Sequence, residues 1–289
     1  MEDKTIKILE SNKSNIKQLK IACKGITGLV DLSRFTCLEE LYCSSNNIDL
    51  IINIPPTVKK IACNANKIKS LDNLPESLVE LNCNDNQIER LDNLPCQLKI
   101  LYCSQNKLTQ LNNLPCELIE LYCSKNLITN LDLLPINLKK LDCIKNKLKN
   151  LDLLPEGLET LDCSQNKAIS SLDSLPKSLN ILSCHFNSID LLDNLPENLI
   201  ELCCYNNQIV SFANIPKKIK ILRISHNKIK ILDLQGLDEL EELACLNNKD
   251  IIINNIPNNP IQLYCIIDDI QNFNEIIQLY PNIKFFDKM

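Results

Sequence analysis

The chain has 289 residues, of which 45% are hydrophobic and 23% charged, and its net charge at pH 7 is -5. This composition is typical of a folded protein, and the acidic balance does not indicate a nucleic-acid or membrane surface. The sequence lacks a run of about 18 apolar residues, and the N-terminus MEDKTIKILE lacks a signal-peptide core. We therefore expect a cytoplasmic protein, with a host cytoplasm as one option, that is not secreted through a signal peptide.

Residues 1–17 precede the first repeat and are predicted to cap the N-terminal end of the fold. Ile6 and Ile8 alternate with polar residues in this segment. Alternation with a period of two is typical of a half-buried strand. The sequence therefore predicts a short strand at the N-terminus.

A unit of about 20 residues, LxCxxNxIxxLxxLPxxLxx, repeats about 13 times between residues 18 and 267. Its Leu and Cys stand two residues apart, so both side chains lie on one face of a short strand. Strands of successive units are expected to stack in parallel. The Leu-Pro segment predicts an extended return arc with at most a turn of 3-10 helix. Stacked repeats share one core, so residues 1–289 are predicted to form a single domain.

Twelve of the 16 cysteines recur at one position of the unit. They are Cys23, Cys43, Cys63, Cys83, Cys103, Cys123, Cys143, Cys163, Cys184, Cys204, Cys245 and Cys265. Ile224 takes the one position of this series that has no cysteine, and a position that accepts isoleucine is apolar. This pattern predicts a column of buried, reduced thiols rather than metal ligands.

The other four cysteines, Cys37, Cys96, Cys116 and Cys203, are expected to be the accessible ones. Cys96 and Cys116 each follow a Leu-Pro pair, in adjacent units. That spacing predicts that they are neighbours on the convex side, at a plausible disulfide distance. In a reducing compartment we expect two free thiols.

Asparagine recurs three residues after the cysteine position, where the chain leaves the strand. The column comprises Asn46, Asn66, Asn86, Asn106, Asn126, Asn146, Asn166, Asn187, Asn207 and Asn227, with Asn248 after them. Asparagine can both donate and accept hydrogen bonds, so it can hold the backbone groups of adjacent turns. We predict a structural role for this column.

Residues 268–289 are predicted to form a C-terminal cap. Within residues 269–280, Ile270, Phe273, Ile277 and Tyr280 recur at helical spacing, and Pro281 marks an end. Asp268 or Asp269 is a candidate N-cap. The sequence therefore predicts a capping helix here.

The repeated motif resembles the leucine-rich repeat family over residues 18–267. Its 20-residue length and Leu-Pro segment are similar to the repeats of bacterial effector proteins, and its richness in Asn, Ile and Lys is similar to leucine-rich repeat proteins of giant amoeba-infecting DNA viruses. The resemblance implies an α/β repeat solenoid, a right-handed curved superhelix with a parallel concave β-sheet and an extended or 3-10 convex side. It also implies binding of a macromolecule through the concave face.

Two groups of residues on the predicted concave face are candidates for partner binding, because aromatic and arginine side chains often anchor interfaces. The first group is Tyr102 and Tyr122, which are expected to stack. The second group is His185, Phe186, Tyr205, Arg223 and His226. The alternative is that these side chains only cover the sheet and bind no partner.

The predicted concave face also carries residue types that can support catalysis or bind a metal. Asp142 and Asp162 form a carboxylate pair, but the face is open and repetitive, which favours a solvated acidic surface. His185, Cys203 and His226 could approach a metal, but the two histidines would be about 10 Å apart. We therefore predict no catalytic residues, no metal and no cofactor.

The sequence as a whole predicts a non-enzymatic protein–protein interaction module. A pathogen or viral protein acting on host proteins is one such module. The partner is expected to be a protein, not a nucleic acid or a membrane. The alternative function is a structural or scaffold component of a larger assembly.

Overall fold

A computed structural model describes residues 4–259, 261–280 and 283–287. The chain divides into two compact units, residues 1–146 and 147–289. Each unit is described by itself below. The prediction of a single domain over residues 1–289 stays a prediction.

The first unit is a stack of parallel strands preceded by one helix. Its elements are α1 (Lys4–Glu10), β1 (Gln18–Lys20), β2 (Thr27–Asp31), β3 (Glu40–Tyr42), β4 (Asn47–Ile52), β5 (Lys60–Ala62), β6 (Glu80–Asn82), β7 (Ile100–Tyr102), β8 (Glu120–Tyr122) and β9 (Lys140–Asp142). The main sheet has the order β1-β3-β5-β6-β7-β8-β9, and every pairing is parallel. Strands β2 and β4 form a separate parallel pair.

The second unit repeats this arrangement and adds a helix near its end. Its elements are β10 (Thr160–Asp162), β11 (Ile181–Ser183), β12 (Glu201–Cys203), β13 (Ile221–Arg223), β14 (Ile231–Asp233), β15 (Glu242–Ala244), β16 (Ile252–Asn254), β17 (Gln262–Cys265), a 3-10 turn (Ile267–Asp269), α2 (Phe273–Leu279) and β18 (Lys284–Asp287). The main sheet has the parallel order β10-β11-β12-β13-β15-β17-β18. Strands β14 and β16 form a separate pair.

Strand geometry sorts the side chains of each repeat onto two faces. In β8 the central Leu121 is fully buried, whereas Glu120 and Tyr122 on either side are half-buried. Successive side chains of a strand point to opposite faces, so Leu121 packs in the core and its neighbours lie on the other side of the sheet. We call that other side the open face. It also carries the two residues after each cysteine position.

The cysteine column is buried at eleven of its twelve predicted positions. The buried members run from Cys43 to Cys265, each at most 1% exposed, and all 16 cysteines are free. Burial raises the pKa of nine of these thiols, for Cys63 to about 12; the other eight are Cys43, Cys83, Cys103, Cys123, Cys163, Cys184, Cys204 and Cys245. They therefore stay protonated at neutral pH and serve as small apolar core residues.

Cys23 is not part of this column, contrary to the prediction, because it is exposed. Leu19 in β1 pairs with Leu41, so Ile21 is the residue that matches Cys43. Ile21 is 1% exposed. The first repeat is therefore two residues longer than the regular unit, and Cys23 falls at the second residue after the core position.

Each asparagine of the column joins two successive repeats. Asn106 is representative: its Nδ2 donates to the carbonyls of Cys83 at 3.0 Å and Cys103 at 3.1 Å, and its Oδ1 accepts from the Ile88 N–H at 2.9 Å. These are the backbone groups left without ladder partners where the chain turns. The asparagine side chains thus replace strand pairing at the end of each strand.

The return arcs are extended and contain tight turns at proline, as predicted. The Leu78 N–H donates to the Pro75 carbonyl at 3.0 Å, and the arcs after Pro95 and Pro115 make the same bond. The pairs β2–β4 and β14–β16 were not predicted. The segments after β2 and β14, residues 32–38 and 234–240, contain no proline.

The N-terminal cap is the helix α1, so the predicted strand at Ile6 and Ile8 is wrong. Thr5 and Leu9 are buried, whereas Ile6 is 51% exposed. Residues four apart share one helix face, so Thr5 and Leu9 carry the contact. Thr5 Oγ1 donates to the Thr27 carbonyl at 3.0 Å, which attaches the helix to β2.

The predicted C-terminal helix is present but short. It begins after Asn272 rather than after an aspartate, and the buried residue is Ile276, whereas Ile277 is 41% exposed. Ile270, which was predicted to belong to the helix, precedes it and is buried. Neither described helix is long and apolar enough to cross a bilayer.

Candidate functional site

Three aromatic rings meet on the open face of the second unit. His185 stacks on Tyr205 with centroids 4.4 Å apart and an interplanar angle of 10°. Phe186 contacts both rings edge-on, at 5.7 Å from His185 and 5.6 Å from Tyr205. We call these three residues the His185 cluster. Strands β11 and β12 pair in register, which places His185 and Tyr205 at matching positions after Cys184 and Cys204.

The backbone conformation at Phe186 explains why its ring is exposed to solvent. Phe186 has a φ of 55° and is 45% exposed. The second residue after the core position is left-handed in repeat after repeat. The residues are Cys23, Ser45, Ala65, Asp85, Gln105, Lys125, Lys145, Gln165, Phe186, Asn206, His226 and Asn247. Non-glycine residues with positive φ are uncommon, so this turn is a fixed feature of the repeat.

The His185 ring is held in place by polar contacts on its other side. Its Nδ1 lies 2.8 Å from Ser164 Oγ, and the Ser164 N–H donates to Asp162 Oδ1 at 3.0 Å. Burial lowers the pKa of His185, although the nearby Asp162 carboxylate acts in the opposite direction. Burial raises the pKa of Tyr205. The cluster is therefore uncharged at pH 7.

Arg223 is bound by carboxylates of its own chain. Its Nε donates to Glu242 Oε1 at 2.7 Å, its Nη2 to Glu242 Oε2 at 3.2 Å, and its Nη1 to Glu201 Oε1 at 3.2 Å. The bond with Glu242 raises the pKa of Arg223. We expected this arginine to be available for a partner's carboxylate. In the structure four of its five N–H donors are engaged within the chain, one of them with Cys203 Sγ, so that role stays a prediction.

Cys203 lies under this network and is not accessible, which corrects the prediction. It is 5% exposed, and its Sγ accepts from Arg223 Nη1 at 3.5 Å. Burial raises its pKa, against the effect of Arg223. The missed partners Glu201 and Glu242 could have been found from the sequence, since both start strands that flank β13.

His226 stands apart from the three rings. It is exposed, and its Nε2 lies 3.1 Å from Asn247 Nδ2 in the next repeat. Among the described residues no ring contact joins it to the His185 cluster. The five predicted residues thus form a ring cluster, an arginine–carboxylate network and a separate histidine.

The tyrosine pair, Tyr102 and Tyr122, lies on the open face of the first unit. Its rings stack with centroids 4.7 Å apart and an interplanar angle of 12°, which confirms the predicted stacking. The Tyr122 hydroxyl donates to Glu120 Oε2 at 2.8 Å, and Lys140 Nζ lies 3.1 Å from Glu120 Oε1. Burial and the Glu120 hydrogen bond raise the pKa of Tyr122.

The rest of the described surface offers little for small-molecule chemistry. In the described part of the chain no three His, Cys, Asp or Glu side chains form a candidate metal site. The grooves lie along the return arcs, away from both aromatic groups. The one lined by residues 193–198 and 214–218 has a volume of ≈ 660 Å³. It is open to solvent, unlike the enclosed pockets that bind small ligands.

Comparisons with known proteins identify the fold. No protein-family model matches the chain, and no curated protein sequence matches it. Among solved structures, the internalin InlF from Listeria monocytogenes is similar with a TM-score of 0.76 and 19% identity, over 99% of this chain and 89% of that one.

Two further solved structures are similar to the chain. YopM, a leucine-rich effector protein from Yersinia pestis, has a TM-score of 0.62 and 23% identity, over 94% of this chain and 89% of that one. The functional domain of InlJ from Listeria monocytogenes, described as including a cysteine ladder, has a TM-score of 0.60 and 25% identity, over 90% and 67%. The predicted similarity to viral proteins stays a prediction. The chain has the fold of the leucine-rich repeat proteins.

Proposed function

We propose that this protein is a non-enzymatic module that binds a protein partner through the open face around the His185 cluster. The leucine-rich repeat fold indicates an interaction module in general terms. The observation that carries the specific proposal is the cluster itself, in which Phe186 is 45% exposed beside two stacked rings. Aromatic side chains are enriched at the centres of protein interfaces.

The surroundings of the cluster support an apolar centre with a polar rim. The three rings are uncharged at pH 7, whereas the neighbouring Arg223, Glu201 and Glu242 neutralise one another in part. Interfaces commonly combine an apolar core with such a rim. The rings are already packed against each other on a sheet, so a partner would order few additional side chains on binding.

We extend the proposal to a cytoplasmic protein, with a pathogen or viral protein acting on host proteins as its finer form. The free thiols support the compartment, since disulfides are rare where glutathione keeps cysteines reduced. The short effector-like repeats support the finer form. Fractionation of the source cell without a host tests the cytoplasmic location. The same fractionation with a host present tests the action on host proteins.

The experiment removes the exposed Phe186 ring and the half-buried Tyr205 ring by Phe186→Ala with Tyr205→Ala, and it measures partner capture from extracts of the source cell. Truncating an anchor costs at least about 2 kcal/mol, so the affinity is expected to fall roughly thirtyfold. The melting temperature should change little, because neither ring is in the core.

The matched control is Tyr42→Ala. Tyr42 is an open-face tyrosine of the first unit, and its hydroxyl donates to Glu40 at 2.6 Å. This variant should capture the partner as the wild type does. If the folded double variant captures the partner as well as the wild type does, the rings only cover the sheet and do not bind the partner.

The alternative function, a structural component of an assembly, has support on the return arcs of the first unit. Leu133 and Ile136 are 76% and 78% exposed. Large exposed apolar side chains mark contact surfaces when they lie together. Leu133→Ser with Ile136→Ser should abolish co-purification if this function is correct, and should leave it unchanged if the open face binds the partner.

A further inference from the structure

We propose that Cys96 and Cys116 form a redox-responsive thiol pair, which closes to a disulfide between two adjacent repeats when the protein meets a peroxide. Both thiols are free and exposed, whereas twelve other cysteines are buried. The remaining exposed thiols, Cys23 and Cys37, occupy other positions of the repeat. The pair is thus the place where two accessible thiols occur at one position of consecutive units.

The two cysteines occupy identical turns. The Leu98 N–H donates to the Pro95 carbonyl at 3.1 Å, and the Leu118 N–H donates to the Pro115 carbonyl at 3.1 Å. Each cysteine is therefore the second residue of the same four-residue turn. Matching turns present their side chains in the same direction, here away from the core.

The turns are stacked by direct hydrogen bonds. Three residues after Cys96, the Lys99 N–H donates to the Val79 carbonyl at 2.9 Å, and the Ile119 N–H donates to the Lys99 carbonyl at 2.8 Å. Strands β7 and β8 also pair in register. Hydrogen-bonded neighbours of this kind lie about 5 Å apart. Disulfides bridge Cα atoms separated by roughly 4.4–6.8 Å, so the spacing suits the bond.

A contact in the structure shows that side chains at this position reach the neighbouring repeat. The Cys96 Sγ donates to Glu76 Oε2 at 3.7 Å, and Glu76 occupies the same position one repeat earlier. Cys96 must leave this carboxylate and rotate towards Cys116 before the bond forms. Since both side chains are exposed, the rotation meets no packed core.

The chemistry balances with hydrogen peroxide as the oxidant. One thiolate attacks the peroxide, which cleaves the O–O bond and gives a sulfenic acid and water. The second thiol then attacks the sulfenic sulfur, forms the S–S bond and releases a second water. The two sulfurs together lose two electrons, and the peroxide is reduced to two molecules of water.

The test counts accessible thiols in the native protein. Without oxidant, an alkylating reagent should label four, namely Cys23, Cys37, Cys96 and Cys116. After equimolar peroxide it should label Cys23 and Cys37 alone, and the monomer should lose about 2 Da, the mass of two hydrogens. Peptide mapping should find one cross-linked peptide pair, which contains Cys96 and Cys116.

Two variants make the result specific. Cys116→Ser should abolish the 2 Da loss, and Glu76→Ala should speed the closure because Cys96 no longer has its carboxylate acceptor. A disulfide that joins other cysteines, a disulfide between two chains, or retention of all four labels would overturn the proposal. Because the protein is folded and alkylated before denaturation, misfolding of a variant shows at once as labelling of buried cysteines.

Discussion

The tyrosine pair of the first unit and the His185 cluster of the second both lie on the open face, the tyrosines one residue before the cysteine position and His185 and Tyr205 one residue after it, and their polar contacts differ. Tyr122 directs its hydroxyl to Glu120, which also binds Lys140. The His185 cluster has a third ring, Phe186, that rises from a left-handed turn and stays 45% exposed. The tyrosine pair is thus tied into a polar network, whereas the cluster keeps apolar area for a partner.

This difference shows that the repeat fixes where a side chain stands, and that the identity of the side chain decides what it can bind. Each group lies on parallel strands that end in the same kind of asparagine bonds. If that is correct, damage to the backbone should affect both units equally, and changes to surface side chains should separate them.

The largest expected effect is on stability, and it should be equal in the two units. Asn126 bonds the carbonyls of Cys103 and Cys123 at 3.0 Å each, and Asn207 does the same for Cys184 and Cys204. Replacing either asparagine by alanine leaves buried carbonyls unpaired, at a cost of about 3 kcal/mol in the free energy of unfolding.

Urea denaturation followed by circular dichroism measures this cost for Asn126→Ala and Asn207→Ala side by side. Ser44→Ala is a suitable control, since Ser44 lies on the open face and its loss should cost under about 1 kcal/mol. A cost below about 1 kcal/mol in one unit only would mean that the two scaffolds are not equivalent.

A smaller effect should separate the two ionic networks. Arg223 bonds two carboxylates, one of them bidentately, whereas Lys140 bonds Glu120 through one atom. Bidentate arginine pairs are the stronger kind. Arg223→Met should cost about 1 kcal/mol of unfolding free energy and Lys140→Met under about 0.5 kcal/mol, both reduced by solvent screening. Equal losses in the same denaturation assay would contradict this ranking.

The smallest effect is a pH dependence confined to the second unit. Burial lowers the pKa of His185, so between that lowered value and about 6.5 the unfolded chain binds more protons than the folded one. His185 should therefore reduce stability as the pH falls below about 6.5, and the loss should level off below the folded pKa.

NMR titration of the imidazole protons gives the folded pKa of His185 directly, and the expected midpoint is below about 6.5. The matched variant His185→Phe keeps a stacking ring without a titrating group. It should lose less stability than the wild type between pH 7 and pH 5. A His185 midpoint above about 6.5 would show that Asp162 outweighs burial.

Most of the scaffold could be predicted from the sequence because its signals repeat. The cysteine position accepts isoleucine at Ile224, so it must be an apolar core position. An asparagine recurs where each strand ends, so its side chain must hydrogen-bond to the backbone there. The prediction for Cys23 was wrong because the first repeat is two residues longer than the others. The extra length moves this cysteine from the core position to the position with left-handed backbone conformation. A register read from spacing alone fails where the spacing changes.

The ends and the site were harder to predict for local reasons. In α1, Ile6 and Ile8 suggested alternation, whereas the buried pair is Thr5 and Leu9, and a seven-residue helix gives little periodic signal. The site residues were placed on the correct face. The stacking of Tyr102 on Tyr122 was predicted correctly, but the contacts of Arg223 were not, because they depend on the reach of side chains across strands.

The left-handed turn after each strand has a consequence for how such a surface can change. Each non-glycine side chain in that conformation costs roughly 1 kcal/mol relative to glycine, which is scarce in this chain with 4 residues. Serine, lysine, aspartate, phenylalanine and histidine all occupy the position in different repeats. A lineage that varies these residues can therefore alter what the surface recognises one repeat at a time, without touching the buried cysteines beneath.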